Sequence, residues 1–286
     1  DKDGNIVPAA ATGYTVSDDG LVYTVTLCDN GVWSDGEPVV AQQFVDGFVR
    51  LMDPATAAEY AWMMYSVEGA EEFNTGEIDD PALLGIAAPD DYTVVYTLNE
   101  PASYFAAILA FATTYPVRLD AIEMYGDEWT EAGNYLSNGA YLLDAWEHES
   151  EVVLVKNPTY WDADSVTIEK VTLPIIQEDA TSLALYENDE LHVSAYPSED
   201  LPRIQGDEVL SEQLRQTPRP GIYYMGVNTT RPPTDNVLVR MALSAAIDRR
   251  GYLDNVTHDT WRTEATTTTP PGILGFQAKE AGYDFN

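Results

Sequence analysis

The stretch 134–162 constrains the fold more than any other part of the chain. Asn138-Gly139 is a turn signal, and Ala140–Trp146 after it has the aromatic and aliphatic composition of a strand. A polar, acidic connection at Glu147–Ser150 leads into a second strand, Glu151–Lys156. Asn157-Pro158 ends that strand, because proline has no N–H for the ladder and biases its predecessor toward extended geometry. Two strands and a short polar loop specify a hairpin, closed by the aromatic pair Tyr160-Trp161.

Upstream, Leu21–Leu27 alternates as a strand entered through the turn Asp18-Asp19-Gly20. Pro38 sits where the first turn of a helix tolerates proline, and Val40, Phe44, Phe48 and Leu51 recur at helical spacing before Asp53-Pro54 stops the helix. Ala55–Tyr65 predicts a shorter helix carrying Tyr60, Trp62 and Tyr65, and Glu68–Pro81 an acidic loop. Tyr92–Leu98 alternates as a strand; Tyr104–Phe111 and Arg118–Tyr125 read as helical.

Downstream, Ile168–Ile176 reads as a strand, Glu178–Tyr186 as a helix and Leu191–Ala195 as a short strand. Ser198 is placed to cap a helix starting near Leu201, and Gly221–Asn228 reads as a buried strand. Asn236–Arg250 predicts a helix with Arg249-Arg250 at its C-terminal dipole end. Thr266–Pro271 reads as a loop, and Asp284-Phe285-Asn286 supplies no closing element. Strands and helices mix without regular βαβ alternation, which points to a multi-lobed α/β protein rather than a barrel or one doubly wound sheet.

Charge narrows the partners. With 48 acidic against 14 basic side chains the formal charge is −34, which repels nucleic acid and anionic membrane surfaces and suits a crowded or salty exterior. Cys28 is the only cysteine, so an intrachain disulfide and a thiolate metal cluster are both excluded. No apolar run approaches the roughly 20 residues that span a bilayer. Asp1–Gly4 opens on polar residues, so the protein is either cytosolic or carries a leader that is removed or lies outside this sequence.

Catalysis has no motif to stand on. The pairs Asp18-Asp19 and Asp90-Asp91 fall in turns, and adjacent acids are expected among 48 of them. His148, His192 and His258 lack metal-ligand spacing, and neither a GxSxG elbow nor a glycine-rich phosphate loop occurs. We therefore expect no enzyme, no catalytic residue, no metal and no cofactor.

Five segments together carry a resemblance: DDGLVYTVTL with the following WSDGEPVVAQQFVDGFVRLMDP, then TLNEPASYF, SNGAYLLDAWE…VVLVKNPTYWD, and VNTTRPPTDNVLVRMALSAAIDR. In this order and spacing the chain resembles the extracytoplasmic peptide-binding proteins of bacterial ABC importers, solute-binding protein family 5. The resemblance implies an α/β periplasmic-binding-protein-like fold of the large, three-domain, hinge-closing type, incomplete here at both ends. It implies that 1–118 form the smaller second domain, 119–220 part of the first domain, and 221–286 the start of the third. Cys28 departs from the family motif, which commonly has arginine there.

The resemblance further implies a ligand enclosed between the first and third domains. Tyr60 matches a tyrosine bordering the peptide, Ala195-Tyr196 a segment lining the first-domain side, and Tyr223-Tyr224 an aromatic strand contacting ligand from the third domain. On a strand those last two point to opposite faces, so one would meet the cleft and the other would pack. The implied partners are short peptides and the transmembrane permease subunits, with a monomer located in the periplasm or lipid-anchored at the cell surface. Alternatives are the same fold binding an oligosaccharide or a nickel or haem ligand, or a surface protein that senses peptides or adheres.

Overall fold

The computed structural model describes residues 5–217, 221–257, 262–265, 267–271, 273 and 276. Contacts divide the chain into two compact units, Asp1–Ile175 and Ile176–Asn286.

The first unit is built on two antiparallel sheets. Strands β1 (Ala11–Val16), β2 (Val22–Leu27), β3 (Ile86–Asp90) and β4 (Thr93–Thr97) form a sheet of order β1-β2-β4-β3. In the central pair Tyr23 lies opposite Tyr96 and Val25 opposite Val94, so alternation delivers Tyr23, Val94 and Tyr96 to one buried face. Helix α1 (Ala41–Met52) covers that face with Ala41, Phe48, Leu51 and Met52. Phe105 is fully buried against Tyr23 and Tyr96, edge-on to both with centroids 5.0 and 5.4 Å away.

Two sequence readings of this region change. Pro38 lies before the helix, bridged to Val32; the helix starts at Ala41 because the Gln43 side chain accepts the Val40 N–H at 3.0 Å. The acidic stretch expected as a loop contains helix α2 (Ala70–Thr75), which buries Ala70 and Phe73 between left-handed glycines, Gly69 and Gly76.

The short helices α3 (Phe105–Ile108) and α4 (Leu119–Tyr125) lead into the second sheet. Strands β5 (Tyr141–Glu147), β6 (Glu151–Lys156) and β7 (Lys170–Pro174) pair in that order. The expected hairpin is present: Glu147 pairs with Glu151 across the loop His148-Glu149-Ser150, with Glu149 left-handed at φ 65°. A register shift between Leu143 and Ala145 marks a bulge.

Asn157, in sequence a strand stop, proves to be the pin of this hairpin. It is 0 % exposed, yet every side-chain atom that needs a partner has one. Its Nδ2 donates to the Gly139 carbonyl at 2.8 Å, and its Oδ1 accepts from the Thr159 N–H at 3.0 Å and the Thr159 hydroxyl at 2.8 Å. One residue thereby ties the turn that opens the hairpin to the segment that leaves it.

Arg118 ties the start of α4 to the loop between β2 and α1. Its guanidinium holds Asp120 through two bonds of 2.8 and 2.6 Å, reaches Asp35 at 2.8 Å and lies over the Trp33 ring. The hydrogen bonds from Arg118 hold the Asp120 carboxyl below the usual carboxylate range. Beside it, the Ser34 N–H donates to the Ser137 carbonyl at 2.8 Å.

The second unit carries α5 (Asp179–Glu187), α6 (Leu201–Gly206), α7 (Leu210–Gln213), α8 (Val237–Ala245) and α9 (Arg249–Tyr252). Leu183, Leu201, Ile204 and Leu253 are its buried apolar residues among those described. Neither expected strand of this unit forms. Residues 191–195 are irregular, held instead by a 2.9 Å contact between the Ser182 and Ser194 hydroxyls. Residues 221–228 have no ladder neighbour among the described residues, and without one an extended apolar segment stays exposed.

Ser198 does not cap; it starts a single 3-10 turn that runs into α6. Asn236, expected as the first residue of the helix, caps α8 instead, accepting from the Leu238 N–H. That helix ends at Ala245, earlier than expected, and Arg249 opens the next one while its guanidinium reaches back to the Ser244 carbonyl at 3.0 Å. Residues 1–4, His258, Thr266 and the terminal segment from 277 lie outside the described residues.

Candidate functional site

Tyr60 owes its exposure to the backbone around it. Asp53 ends α1 and its carboxylate accepts the Ala55 N–H, starting a 3-10 turn at Pro54–Thr56 that the left-handed Ala57 breaks. The expected continuous helix over 55–65 is thus two 3-10 turns, the second being Ala61–Met64. That second turn buries Ala61 and Met64, while Tyr60 before it is 46 % and Trp62 within it 62 % exposed. The Tyr60 ring meets Phe111 edge-on at 5.3 Å. Tyr65 has a structural task instead. Its hydroxyl donates to Asn74 Oδ1 at 2.6 Å, while Asn74 Nδ2 donates to the Met52 carbonyl at the end of α1.

Next to this turn lies a pocket of ≈ 410 Å³, lined by Trp62, Met63, Tyr65, Ser66, Asn99, Glu100, Tyr104 and Ile108. Its two sides are stitched together by the Val67–Leu98 bridge and by the Asn99 N–H donating to the Ser66 carbonyl at 2.9 Å. Sequence reasoning missed this pocket. The exposed aromatics Trp62 and Tyr104 were its only trace, and they are far apart in sequence.

In the second unit Ala195 is exposed and Tyr196 half-buried, its hydroxyl accepting from Gln216 Nε2 at 3.3 Å. Tyr223 and Tyr224 are 92 % and 83 % exposed, so both face outward and neither packs, contrary to the alternation of a strand. Arg262 lies over the Tyr223 ring, 5.6 Å from its centre. A pocket of ≈ 480 Å³ in this unit is lined by Tyr186, Glu187, His192, Arg203 and Asp207 among others. Arg203 bridges Glu187 and Asp200 at 2.7 and 3.2 Å. None of the five sequence-nominated residues lines either pocket. Tyr60 belongs to the first unit and the other four to the second.

The acidic pairs act as turn locks. Asp19 accepts from the Ser17 hydroxyl and the Leu21 N–H, which hold its carboxyl below the usual range, and Asp90 accepts the Tyr92 N–H at 2.9 Å. His148 contacts Glu131 at 3.1 Å and stacks on Trp146. Among the described residues no three His, Cys, Asp or Glu side chains gather as a metal would require. Nor is any helix long and apolar enough to cross a membrane.

The profile of the bacterial extracellular solute-binding proteins, family 5, matches residues 5–286. The oligopeptide-binding protein OppA of Bacillus subtilis is 34 % identical over 290 residues, which cover 98 % of this chain and 52 % of that protein. The structure of the Escherichia coli murein tripeptide binding protein MppA superposes with a TM-score of 0.91 at 33 % identity, covering 97 % of this chain and 54 % of its own. Haemophilus influenzae OppA in complex with RPPGFSPFR gives a TM-score of 0.83 at 31 % identity, covering 93 % and 52 %. The chain spans about half the length of the curated relatives it matches. A profile match over nearly every residue, in a chain whose fold is that of periplasmic solute-binding proteins, places it: the chain belongs to the bacterial extracellular solute-binding proteins, family 5.

Proposed function

We propose that this protein is the substrate-binding component of an ABC importer, capturing short peptides outside the cytoplasmic membrane and delivering them to the permease. The observation that carries this reading is the likeness, over nearly the whole chain, to a murein tripeptide-binding protein and to an oligopeptide-binding protein in complex with a peptide. The protein performs no catalysis in this scheme and acts as a monomer, periplasmic or lipid-anchored, with no cofactor.

The domain layout follows the family: 1–118 as the smaller second domain, 119–220 as part of the first, and 221–286 as the start of the third. These bounds follow the resemblance, whereas the division at Ile175 follows contact density, so the first domain contributes to both compact units. Tyr60, Ala195, Tyr196, Tyr223 and Tyr224 are the proposed ligand contacts. The exposure of Tyr60, Tyr223 and Tyr224 supports that role. Tyrosine suits it because each ring offers apolar area and one hydroxyl at little rotamer entropy. Main-chain hydrogen bonds would give affinity without regard to sequence, and hydrated pockets would accept varied side chains.

A thermal-shift screen of the full-length gene product against di- to pentapeptides tests this reading. Stabilisation by several peptides is expected, and Tyr60→Ala or Tyr223→Ala should reduce it without changing the unliganded midpoint. Silence across the whole panel would overturn the proposal.

A further inference from the structure

The pocket beside Tyr60 has a chemistry of its own. Its walls offer three aromatic rings, from Trp62, Tyr65 and Tyr104, and one carboxylate, Glu100, with no lysine or arginine on the lining. Trp62 and Tyr104 are more than half exposed, so their rings are open to a ligand. Tyr65 is fixed by its bond to Asn74, and Asn99 is fixed by donating to the Tyr65 and Val67 carbonyls, so the floor is rigid. Ser66, also on the lining, buries its hydroxyl oxygen without a hydrogen-bond partner. A buried hydroxyl left unpaired is costly, so a polar group that pairs with it would be favoured.

Aromatic faces carry negative potential, and a carboxylate beside them adds a full charge. A neutral sugar would also stack on Trp62, but it would gain nothing from Glu100 as an ion and nothing from the protein's overall charge of −34, which concentrates cations around the chain. We propose that this pocket is a binding site for an organic cation, an alkylammonium or guanidinium group. Its source is either a free small molecule or the side chain of a basic peptide.

The test uses the 286-residue chain with choline as the cationic probe and 3,3-dimethylbutan-1-ol as its neutral isostere. The tripeptides Ala-Arg-Ala and Ala-Gln-Ala form the second arm. The chain has six tryptophans, and the indole N–H resonance of Trp62 is identified by its loss in Trp62→Phe. Choline, Ala-Arg-Ala or both should shift that resonance saturably, with the neutral counterpart at least about tenfold weaker, as expected for a charged group on an aromatic face. Response to choline alone identifies a free cation as the ligand, and response to the arginine peptide alone identifies a peptide side chain. Glu100→Gln and Trp62→Ala, both at exposed positions, should each weaken binding about fivefold or more while leaving the thermal midpoint unchanged. Equal binding of charged and neutral probes, an equal non-saturating shift of all indoles, or wild-type binding by both variants would overturn the proposal.

Discussion

Replacing Asn157 gives the clearest test of how the hairpin is held. Asn157→Ala removes three hydrogen bonds, of 2.8, 3.0 and 2.8 Å, made by a side chain that is itself 0 % exposed. At about 1 kcal/mol each, with Thr159 and Gly139 still within reach of water, the loss is about 2–4 kcal/mol. In a chain of this size that lowers the unfolding midpoint by roughly 5–10 °C, measured by circular dichroism or calorimetry. Asn157→Asp adds a pH signature. Its new carboxyl keeps the two bonds from Thr159 but, when ionised, opposes the Gly139 carbonyl with a lone pair in a dry site. Burial raises its folded pKa above the unfolded value of about 3.9, so the folded state holds the proton more tightly. The deficit of this variant is therefore full above the folded pKa and shrinks as pH falls through it, because the protonated group donates to Gly139. A loss below about 0.5 kcal/mol for Asn157→Ala, within the range of ordinary surface changes, would refute this account of the pin. A deficit for Asn157→Asp that does not vary between pH 7 and pH 4 would refute the charge argument.

Three further outcomes are expected. A Cβ at Gly85 would lie 2.5 Å from the Thr97 carbonyl oxygen and 2.8 Å from Glu68 Cβ, so Gly85→Ala must displace the backbone that links α2 to the sheet. Denaturant titration should show a loss of at least about 2 kcal/mol. The 48 carboxylates far outnumber the 14 lysines and arginines, so self-repulsion opposes folding. Raising NaCl from about 0.1 to 1 M shortens the screening length from about 10 to 3 Å and should raise the midpoint by about 3–5 °C, whereas an unchanged or falling midpoint would contradict this. The depressed Asp120 carboxyl contributes stability that is present above its unfolded pKa and lost as pH falls through the folded one. Arg118→Gln should remove that part of the acid dependence below about pH 4, read by comparing acid unfolding of the two proteins.

Local chemistry made part of this fold legible in sequence. The hairpin, β2, β4 and α1 were readable because alternation or helical spacing was bounded by residues that forbid continuation, such as Asn138-Gly139, Asp53-Pro54 and Asn157-Pro158. Helix α2 was missed because Glu71-Glu72 between two glycines reads as a loop. Yet acids in a first turn and a glycine just past the last one are helix signals, and Ala70 with Phe73 is its buried face. The expected strands at 191–195 and 221–228 failed for another reason: composition nominates a strand, but only a neighbour makes one. The site was less legible still. Tyr60 and Tyr65 look alike in sequence, and only the position of Asn74 decides that one is pinned while the other is exposed.

The central claim, that this protein captures peptides, is tested most directly by calorimetric titration of the full-length gene product with a tripeptide of mixed sequence. Matched free amino acids and a cello-oligosaccharide serve as controls. The account predicts saturable one-to-one binding of the peptide, recovered intact afterwards, and no comparable heat from the controls. Binding of the oligosaccharide in preference to the peptide, or hydrolysis of the peptide, would contradict it.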